Sequence, residues 1–247
     1  MVKSLSDKKN RLAHGLFVVE GDKVVREMAD SRYFIEEVFA MEPWIEKHAH
    51  IFHPSCPLTI VSDKDLERMS QLSAPNNALA VLKMPSQKPL EALEGKGIII
   101  AVDGVQDPGN LGTIIRTADW FGCHQIICSL QCADVYNPKV LQATMGSFKR
   151  VDIFYTNLMA FLAELPNTYP VFAATLDGEN MYRKKFPDDG LLLMGNESKG
   201  VGKELMAFVN QKLFIPSPVS NASERAESLN VSIATGVILA EWVRQMS

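Results

Sequence analysis

The sequence predicts an α/β protein in two parts, a small N-terminal α/β module and a larger domain built on a mostly parallel sheet. Two observations carry this prediction. From Gly97 onward, short apolar runs alternate with segments of helical periodicity, which is typical of parallel strands that helices cover on both faces. Before residue 85, short strand and helix patterns alternate, and a stretch rich in proline and glycine separates the two parts.

The N-terminal part shows four strand patterns and three helix patterns. The first strand pattern ends in Gly21, where we expect a turn. Pro43 fits the first turn of a helix, where its missing N–H costs nothing. Ser62, with Asp65 three residues later, indicates a capping box. The predicted strands are 17–20, 34–41, 58–61 and 78–83, and the predicted helices are 22–29, the segment from Pro43, and 63–72.

The boundary between the two parts is predicted in the weakly patterned stretch 85–97, which contains Pro85, Pro89, Gly95 and Gly97. We assign residues 1–90 to the first domain and residues 97–247 to the second. In the second domain the predicted strands are 98–102, 125–128, 152–155, 171–175, 191–194 and 213–215. The predicted helices there are 111–121, 139–145, 158–165, 203–209 and 229–245.

Composition and charge restrict the function. The chain is 47% hydrophobic, enough for a sizeable core, and its net charge of −4 means that any nucleic acid must be held by local basic patches. Four cysteines do not make a disulfide framework in a chain of this length, which indicates a reducing compartment. The N-terminus has no apolar signal core, and no apolar run approaches the roughly 20 residues that span a bilayer. We therefore expect a cytoplasmic protein without a membrane partner.

No metal site is predicted. His48, His50, His53 and Cys56 lie close together in the sequence, but no second pair of ligands follows at a matching spacing. We interpret the cluster as part of a surface loop. Cys123, the next cysteine, begins another group of three that also lacks the spacing of a zinc ribbon.

The first stretch that could carry chemistry is 103–116, which reads Asp-Gly-Val-Gln-Asp-Pro-Gly-Asn-Leu-Gly-Thr-Ile-Ile-Arg. It joins a buried strand to a helix, and its glycines permit close backbone approach. One interpretation makes Asn110 an N-cap and Arg116 a surface charge. The other places both in a functional site. Neither a P-loop nor a dinucleotide-binding fingerprint is present.

The second stretch, 191–200, is an apolar run that ends abruptly in Gly-Asn-Glu. Such a run indicates a strand buried on both faces, and the turn after it lies at the carboxyl edge of the sheet, where α/β folds bind ligands. Glu197 would then lie above the sheet, although an exposed turn is the simpler alternative. The third stretch, 228–234, reads Ser-Leu-Asn-Val-Ser-Ile-Ala; its simpler interpretation makes Ser228 the N-cap of the last helix.

These stretches, in this order, resemble the motifs of the SpoU (TrmH-like) family of SPOUT RNA methyltransferases. Residues 107–118 are similar to the first motif and residues 193–200 to the second. Ile215-Pro216 together with residues 228–234 resembles the third, and residues 143–147 resemble the segment between the first two. Residues 1–84 look like the family's ribosomal-protein-L30e-like substrate domain.

The resemblance implies a C-terminal α/β domain with a trefoil knot, S-adenosyl-L-methionine as cofactor, and a homodimer. It implies methylation of a ribose 2′-hydroxyl in structured RNA. The backbone at Gly195, Ile215 and Leu229 would hold the methyl donor, with the turn at Thr175 nearby. Ribosomal RNA is the favoured substrate because of the L30e-like domain, and transfer RNA is the alternative.

The resemblance also implies the residues of the reaction. Arg116 and Asn110 would serve methyl transfer, and Glu197, Ser228 and Asn230 would shape the catalytic site. Since arginine is protonated at any working pH, Arg116 either acts as an unusual base or stabilises the developing alkoxide while it holds a phosphate, within one chain or across a dimer.

One departure leaves a further alternative open. The segment 217–227 is longer than in the family and contains no glycine. It should lie beside the cofactor, so a non-catalytic RNA-binding or ribosome-assembly homologue is the competing interpretation. A nucleotide-binding enzyme of another kind is disfavoured because both phosphate-loop signatures are missing.

Overall fold

The computed structural model describes residues 1–72, 76–86, 97–219 and 226–246, which fall into two compact units. Unit 1 comprises Met1–Lys88 together with Asp134–Lys149, and unit 2 comprises Pro89–Ala133 together with Arg150–Ser247. The segment 134–149, which the sequence analysis counts in the second domain, thus packs with the first unit. The functions assigned to the two domains stay predictions.

Unit 1 is built on a four-stranded mixed sheet in the order β1-β4-β2-β3. Strand β4 pairs antiparallel with β1 and β2, and β2 pairs parallel with β3. The strands are β1 (Leu16–Glu20), β2 (Ile35–Ala40), β3 (Leu58–Ile60) and β4 (Ala78–Lys83). The helices are α1 (Lys8–His14), α2 (Asp22–Met28), α3 (Glu42–His48) and α4 (Asp63–Met69), with 3-10 turns at Val2–Ser6 and Ala49–Ile51.

The predicted elements of this unit are confirmed within a few residues, and so is the capping box. The Ser62 hydroxyl accepts a hydrogen bond from the N–H of Asp65, and the Asp65 carboxylate accepts one from the N–H of Ser62, both at 3.3 Å. Helix α1 was missed by the sequence analysis. It begins after Asp7, whose carboxylate accepts from the N–H of Lys9 at 2.8 Å.

The segment 134–149 completes the core of unit 1. It carries helix α6 (Pro138–Thr144) and the 3-10 turn Ser147–Lys149. Asp134 pairs at 2.6 Å with the guanidinium of Arg11, which is only 2% exposed. The ring of Tyr136 lies 4.6 Å from that of Phe17, and Phe148 packs against the same cluster at 6.2 Å from Phe17. Charged and aromatic contacts therefore both fix this segment to unit 1.

Unit 2 contains a six-stranded parallel sheet in the order β10-β8-β9-β5-β6-β7. The strands are β5 (Ile98–Val102), β6 (Gln125–Ser129), β7 (Asp152–Thr156), β8 (Val171–Asn180), β9 (Gly190–Met194) and β10 (Gln211–Phe214). Strands β5 and β9 are buried throughout, which confirms the two continuous apolar runs as central strands.

The strand order reverses between the two central strands. After β5 the chain continues to β6 and β7 on one side of the sheet, and after β9 it continues to β10 on the other. Such a reversal opens a crevice at the carboxyl edge of a parallel sheet. The turns that follow β5 and β9 are the ones that carry the first two sequence motifs.

The long helices of unit 2 are α5 (Pro108–Trp120) and α8 (Val231–Met246), with the shorter α7 (Leu158–Ala163) and 3-10 turns at Met181–Arg183 and Leu205–Phe208. The predicted helix 203–209 was wrong. Gly202 starts a single tight turn there, in which its carbonyl accepts from the N–H of Leu205 at 3.0 Å. Within the described ranges, no helix combines the length and apolar character needed to cross a membrane.

Strand β8 extends beyond the predicted range 171–175 and contains a break. Ala173 lies opposite Lys212 of β10, but the next pair joins Glu179 to Leu213, so residues 174–178 bulge out of the ladder. The trefoil knot implied by the resemblance stays a prediction, because residues 220–225 lie outside the described residues. Part of the long segment 217–227 falls in that gap.

Candidate active site

The first motif is set by the N-terminus of α5. The carboxylate of Asp107 accepts a hydrogen bond from the N–H of Asn110 at 2.8 Å, so Asp107 is the N-cap. The alternative in which Asn110 caps the helix was therefore wrong. Asn110 lies in the first turn of α5, and its side-chain amide does not cap the helix.

The second motif closes into a tight turn immediately after β9. Asn196 and Gly200 exchange two backbone hydrogen bonds, at 3.0 and 2.9 Å, and Gly200 has a φ of +68°. A Cβ atom on Gly195 would lie 2.5 Å from the carbonyl oxygen of Gly200 and closer still to its carbonyl carbon. Only glycine fits this position without a backbone shift, because real Cβ atoms do not approach backbone so closely.

Asn196 holds this turn against the loop after β5. Its Oδ1 accepts from the N–H groups of Ser198 and Lys199 at 3.0 and 3.1 Å, and its Nδ2 donates to the carbonyl of Gly104 at 2.7 Å. In addition, the N–H of Gly202 donates to the carboxylate of Asp103 at 2.9 Å. The two loops that border the crevice are thereby fixed to each other.

The third motif begins helix α8. Oδ1 of Asn230 accepts from the N–H of Ser232 at 2.9 Å, from the hydroxyl of Ser232 at 2.6 Å and from the N–H of Ile233 at 3.3 Å. Asn230, and not Ser228, is therefore the N-cap of α8, and the simpler interpretation of Ser228 was wrong. Ser228 is exposed two residues before the cap.

A chain of side-chain hydrogen bonds joins all three motifs. Nδ2 of Asn110 donates to the carboxylate of Glu197 at 2.7 Å, and Oδ1 of Asn110 accepts from Nδ2 of Asn230 at 2.8 Å. Because a carboxylate only accepts and because the cap oxygen of Asn230 faces N–H donors, each amide has one orientation that satisfies every bond. The structure thus brings Asn110, Glu197 and Asn230 together.

Arg116 takes no part in this series of hydrogen bonds. It is exposed on α5, and its guanidinium has no hydrogen-bond or ion-pair partner within the described part of the protein. It follows Asn110 by about one and a half turns of helix. An unpaired guanidinium keeps all its donors available for an anionic group.

The residues predicted to bind a cofactor carry backbone N–H groups that are not used within the protein. Among the described residues, the N–H groups of Gly195, Ile215 and Leu229 have no hydrogen-bond acceptor. Gly195 is buried, and the side chain of Leu229 is 49% exposed. Since buried N–H groups are nearly always paired, the N–H of Gly195 suits a polar ligand that accepts a hydrogen bond, whereas Ile215 is half-buried and Leu229 is exposed, so water can satisfy their N–H groups.

The bulge in β8 adds a polar group to this side of the sheet. The Thr175 hydroxyl is shielded from solvent and makes no hydrogen bond of normal geometry within the described residues. It lies near the carboxylate of Asp177, whose pKa is lowered first by the ammonium of Lys212 at 2.7 Å and then by this hydroxyl. Gly178 allows the bulge to form, because a Cβ there would lie 2.7 to 2.8 Å from the backbone of Lys212 and Leu213.

Several residues that build the site were not predicted individually: Asp103, Asn196 and Gly178. Two signals could have identified them. Asp103 and Asn196 are polar residues at the ends of the two most apolar runs, and Gly178 follows a predicted strand by three residues.

Comparisons with known proteins identify the family. The SpoU rRNA Methylase family model matches residues 97–240, and the MRM3-like substrate binding domain matches residues 1–80. The chain is 28% identical over 239 residues to the 23S rRNA (guanosine(2553)-2′-O)-methyltransferase RlmP of Bacillus subtilis, covering 96% of this chain and 92% of the relative.

Solved structures show the same similarity over the full length. A TrmH-family RNA methyltransferase structure from Porphyromonas gingivalis is 33% identical with a TM-score of 0.88, covering 99% of this chain and 96% of that one. An AdoMet-bound rRNA methyltransferase from Sinorhizobium meliloti is 29% identical with a TM-score of 0.87, covering 100% and 94%. With a family model over more than half of its residues and these neighbours, the chain belongs to the SpoU rRNA methylase family.

Proposed function

We propose that this protein methylates a ribose 2′-hydroxyl of ribosomal RNA with S-adenosyl-L-methionine as methyl donor. The observation that carries the proposal is the hydrogen-bonded chain Glu197–Asn110–Asn230, which joins the three family motifs at the carboxyl edge of the sheet. The AdoMet-bound neighbour from Sinorhizobium meliloti and the 2′-O-methyltransferase relative from Bacillus subtilis support the cofactor and the reaction.

The chain supplies binding and electrostatics for this reaction. Bound S-adenosyl-L-methionine would supply an electrophilic methyl group. The N–H groups of Gly195, Ile215 and Leu229 have no acceptor within the described residues, and they would hold the polar atoms of the cofactor, with the turn at Thr175 nearby. Glu197 and Asn230 fix the amide of Asn110, so that no atom of this group has to reorient during methyl transfer.

Arg116 provides the positive charge. The 2′-hydroxyl is a poor nucleophile, and negative charge develops on its oxygen as the proton leaves. A guanidinium is protonated at any working pH, so we assign Arg116 to stabilising this charge and the adjacent phosphate, and not to accepting the proton. Its exposed, unpaired position on α5 leaves the donors free for RNA bound to the same chain or to a partner copy.

Replacing Arg116 by alanine is expected to lower the rate of methyl transfer by about 100- to 1,000-fold, because a positioned charge that stabilises the transition state is lost. Cofactor affinity, measured by calorimetry, should stay within about two-fold. Arg244→Ala is the matched control, since Arg244 is an arginine of unit 2 with 68% of its side chain accessible and lies outside the three motifs. Weaker cofactor binding without a specific loss of transfer would contradict the catalytic role.

The RNA substrate is tested by mapping 2′-O-methylated nucleotides in cells that lack the gene. We expect one ribosomal RNA position to lose its methyl group and to regain it on incubation with the purified protein and methyl donor. Loss at a transfer RNA position would instead support the alternative substrate. The match of residues 1–80 to a substrate binding domain supports RNA recognition by unit 1. The cytoplasmic location stays a prediction.

A homodimer is the proposed assembly. On α5, Trp120 is 84% exposed, one turn after Arg116, and Ile233 of α8 is 54% exposed. Exposed aromatic residues of this size are enriched at the centres of protein interfaces. Light scattering at micromolar concentration should give twice the mass of the 27.4 kDa chain, whereas a monomeric mass would contradict the proposal.

A further inference from the structure

Two thiols lie side by side at the carboxyl end of β6. Cys128 is fully buried in the strand, directly opposite Val102 of β5. A turn then brings the chain back, with the N–H of Cys132 donating to the carbonyl of Ser129 at 3.1 Å. The Cys132 sulfur lies 3.2 Å from the carbonyl oxygen of Val102. Val102 is therefore the strand partner of Cys128 and also the residue whose carbonyl contacts the Cys132 sulfur.

The surroundings make the two thiols chemically different. Hydrogen bonds from the Cys128 thiol, then from the Ser129 hydroxyl and from the backbone N–H groups of Val105 and Gly104, lower the pKa of Cys132 to about 7, against the effect of burial. Burial alone raises the pKa of Cys123 to about 12. Cys132 is thus the nucleophilic thiol, and Cys128, with its pKa raised, is placed to react with it in a second step.

This thiol pair is connected to the candidate active site through a short series of contacts. The Cys132 sulfur lies 3.6 Å from the hydroxyl oxygen of Ser129. That oxygen accepts from the N–H of Gly104 at 2.9 Å, and the carbonyl of Gly104 accepts from Nδ2 of Asn196 at 2.7 Å. Asn196 in turn holds the tight turn that follows Gly195.

We propose that Cys128 and Cys132 form a redox-sensitive modification site, which hydrogen peroxide converts to a disulfide, and that this disulfide weakens ligand binding in the neighbouring crevice. The Cys132 thiolate attacks the peroxide, so that an S–O bond forms and the O–O bond breaks, releasing hydroxide that is protonated to water. Cys128 then attacks the sulfenic sulfur, an S–S bond forms, and a second water leaves. The two thiols lose two electrons, and the peroxide gains them.

The second half of this proposal rests on the proposed function, because the ligand is the methyl donor. The disulfide draws the Cys132 sulfur away from the Val102 carbonyl and from Ser129. The Ser129 hydroxyl, which accepts from the N–H of Gly104, then loses its contact with the Cys132 sulfur. The loop of Gly104, whose carbonyl accepts from Asn196, is therefore less firmly fixed. Because roughly one hydrogen bond to the turn is weakened, we expect affinity for S-adenosyl-L-methionine to fall about five- to ten-fold.

The test treats the full-length protein with hydrogen peroxide and measures two independent quantities. Mass spectrometry should show a loss of two hydrogens in the peptide that contains both cysteines, which dithiothreitol reverses. Calorimetry should show the five- to ten-fold weaker cofactor binding, restored by the same reductant. Disulfide formation without any change in affinity would overturn the link to the crevice. Failure of the untreated protein to bind cofactor would contradict the proposed function but leave the disulfide measurement valid.

Single substitutions identify the thiols. Cys128→Ser should stop the reaction at the sulfenic acid of Cys132, which dimedone labels, and Cys132→Ser should prevent oxidation of the pair. Cys123→Ser and Cys56→Ser are the controls and should keep the full response. If peroxide modifies Cys56 alone, or if Cys132→Ser still loses affinity on oxidation, the proposal is wrong. Cys128→Ala replaces the serine variant should the latter fail to fold, with the same expected labelling.

Discussion

Replacing Gly195 by alanine is expected to weaken binding of S-adenosyl-L-methionine by about 100-fold and to reduce methyl transfer at least as much. A Cβ atom at this position would lie 2.5 Å from the carbonyl oxygen of Gly200. The clash is with backbone, so no side-chain rotation relieves it. The turn must move, and the movement displaces both the N–H of residue 195 and Asn196, which fixes the loop after β5.

Gly236→Ala is the matched control for this substitution. Gly236 lies in helix α8, where an added Cβ would meet only the methyl group of Thr117, at an ordinary 3.7 Å. Alanine also favours helix, so stability should be unchanged or slightly higher. Calorimetric titration of both variants, with folding checked by circular dichroism, separates the outcomes. If folded Gly195→Ala binds the cofactor with normal affinity, cofactor binding does not require the close approach of residue 195 to the backbone of Gly200.

The central strands were predictable because their signal is local. A run such as 98–102 or 190–194 is apolar at every position, and only a strand covered on both faces buries such a run within five residues. Strand β4 was predicted with its observed bounds for a similar reason, since five of its six residues are buried. The predicted helix 203–209 failed because its apolar spacing is helical, whereas only one 3-10 turn forms there.

The site was predictable only in part, because its geometry depends on strand order. Asn110 and Glu197 are 87 positions apart, and no pattern in either stretch indicates the hydrogen bond between them. They meet because β9 returns to lie beside β5, a long-range pairing that periodicity does not determine. Asn230 likewise reaches Asn110 across 120 positions. The family resemblance named these residues, and the structure supplies the contacts that join them.

The packing of the core of unit 1 was also predictable only in part. The sequence places 134–149 between two strands of the parallel sheet, and helix α6 within it was predicted nearly to its bounds. Its packing against unit 1 was not predictable, since the contacts of Asp134 with Arg11 span 123 positions. In the sequence Arg11 is one of several basic residues near the N-terminus, yet in the structure it is among the largest fully buried side chains of the described residues.

Replacing Arg11 by alanine is expected to lower the unfolding free energy by about 3 to 5 kcal/mol, because removing one partner leaves a buried charge uncompensated. The guanidinium donates to the carbonyls of Leu5 and Ser6 at 2.9 and 2.7 Å and pairs with Asp134 at 2.6 Å. The Asp134 side chain is 16% exposed, so water replaces these bonds only in part. Urea unfolding, followed by circular dichroism and by tryptophan fluorescence, measures the loss.

An exposed ion pair of the same unit provides the control. Arg26 pairs with Asp22 at 2.7 Å, but both side chains are more than a third exposed and water screens the pair, so Arg26→Ala should change stability far less than Arg11→Ala. The double variant Arg11→Met with Asp134→Leu should recover part of the stability, because it removes both charges together and fills the space with apolar groups. A loss below about 1 kcal/mol in Arg11→Ala, or simple additivity in the double variant, would show that this pair does not hold the segment 134–149 to unit 1.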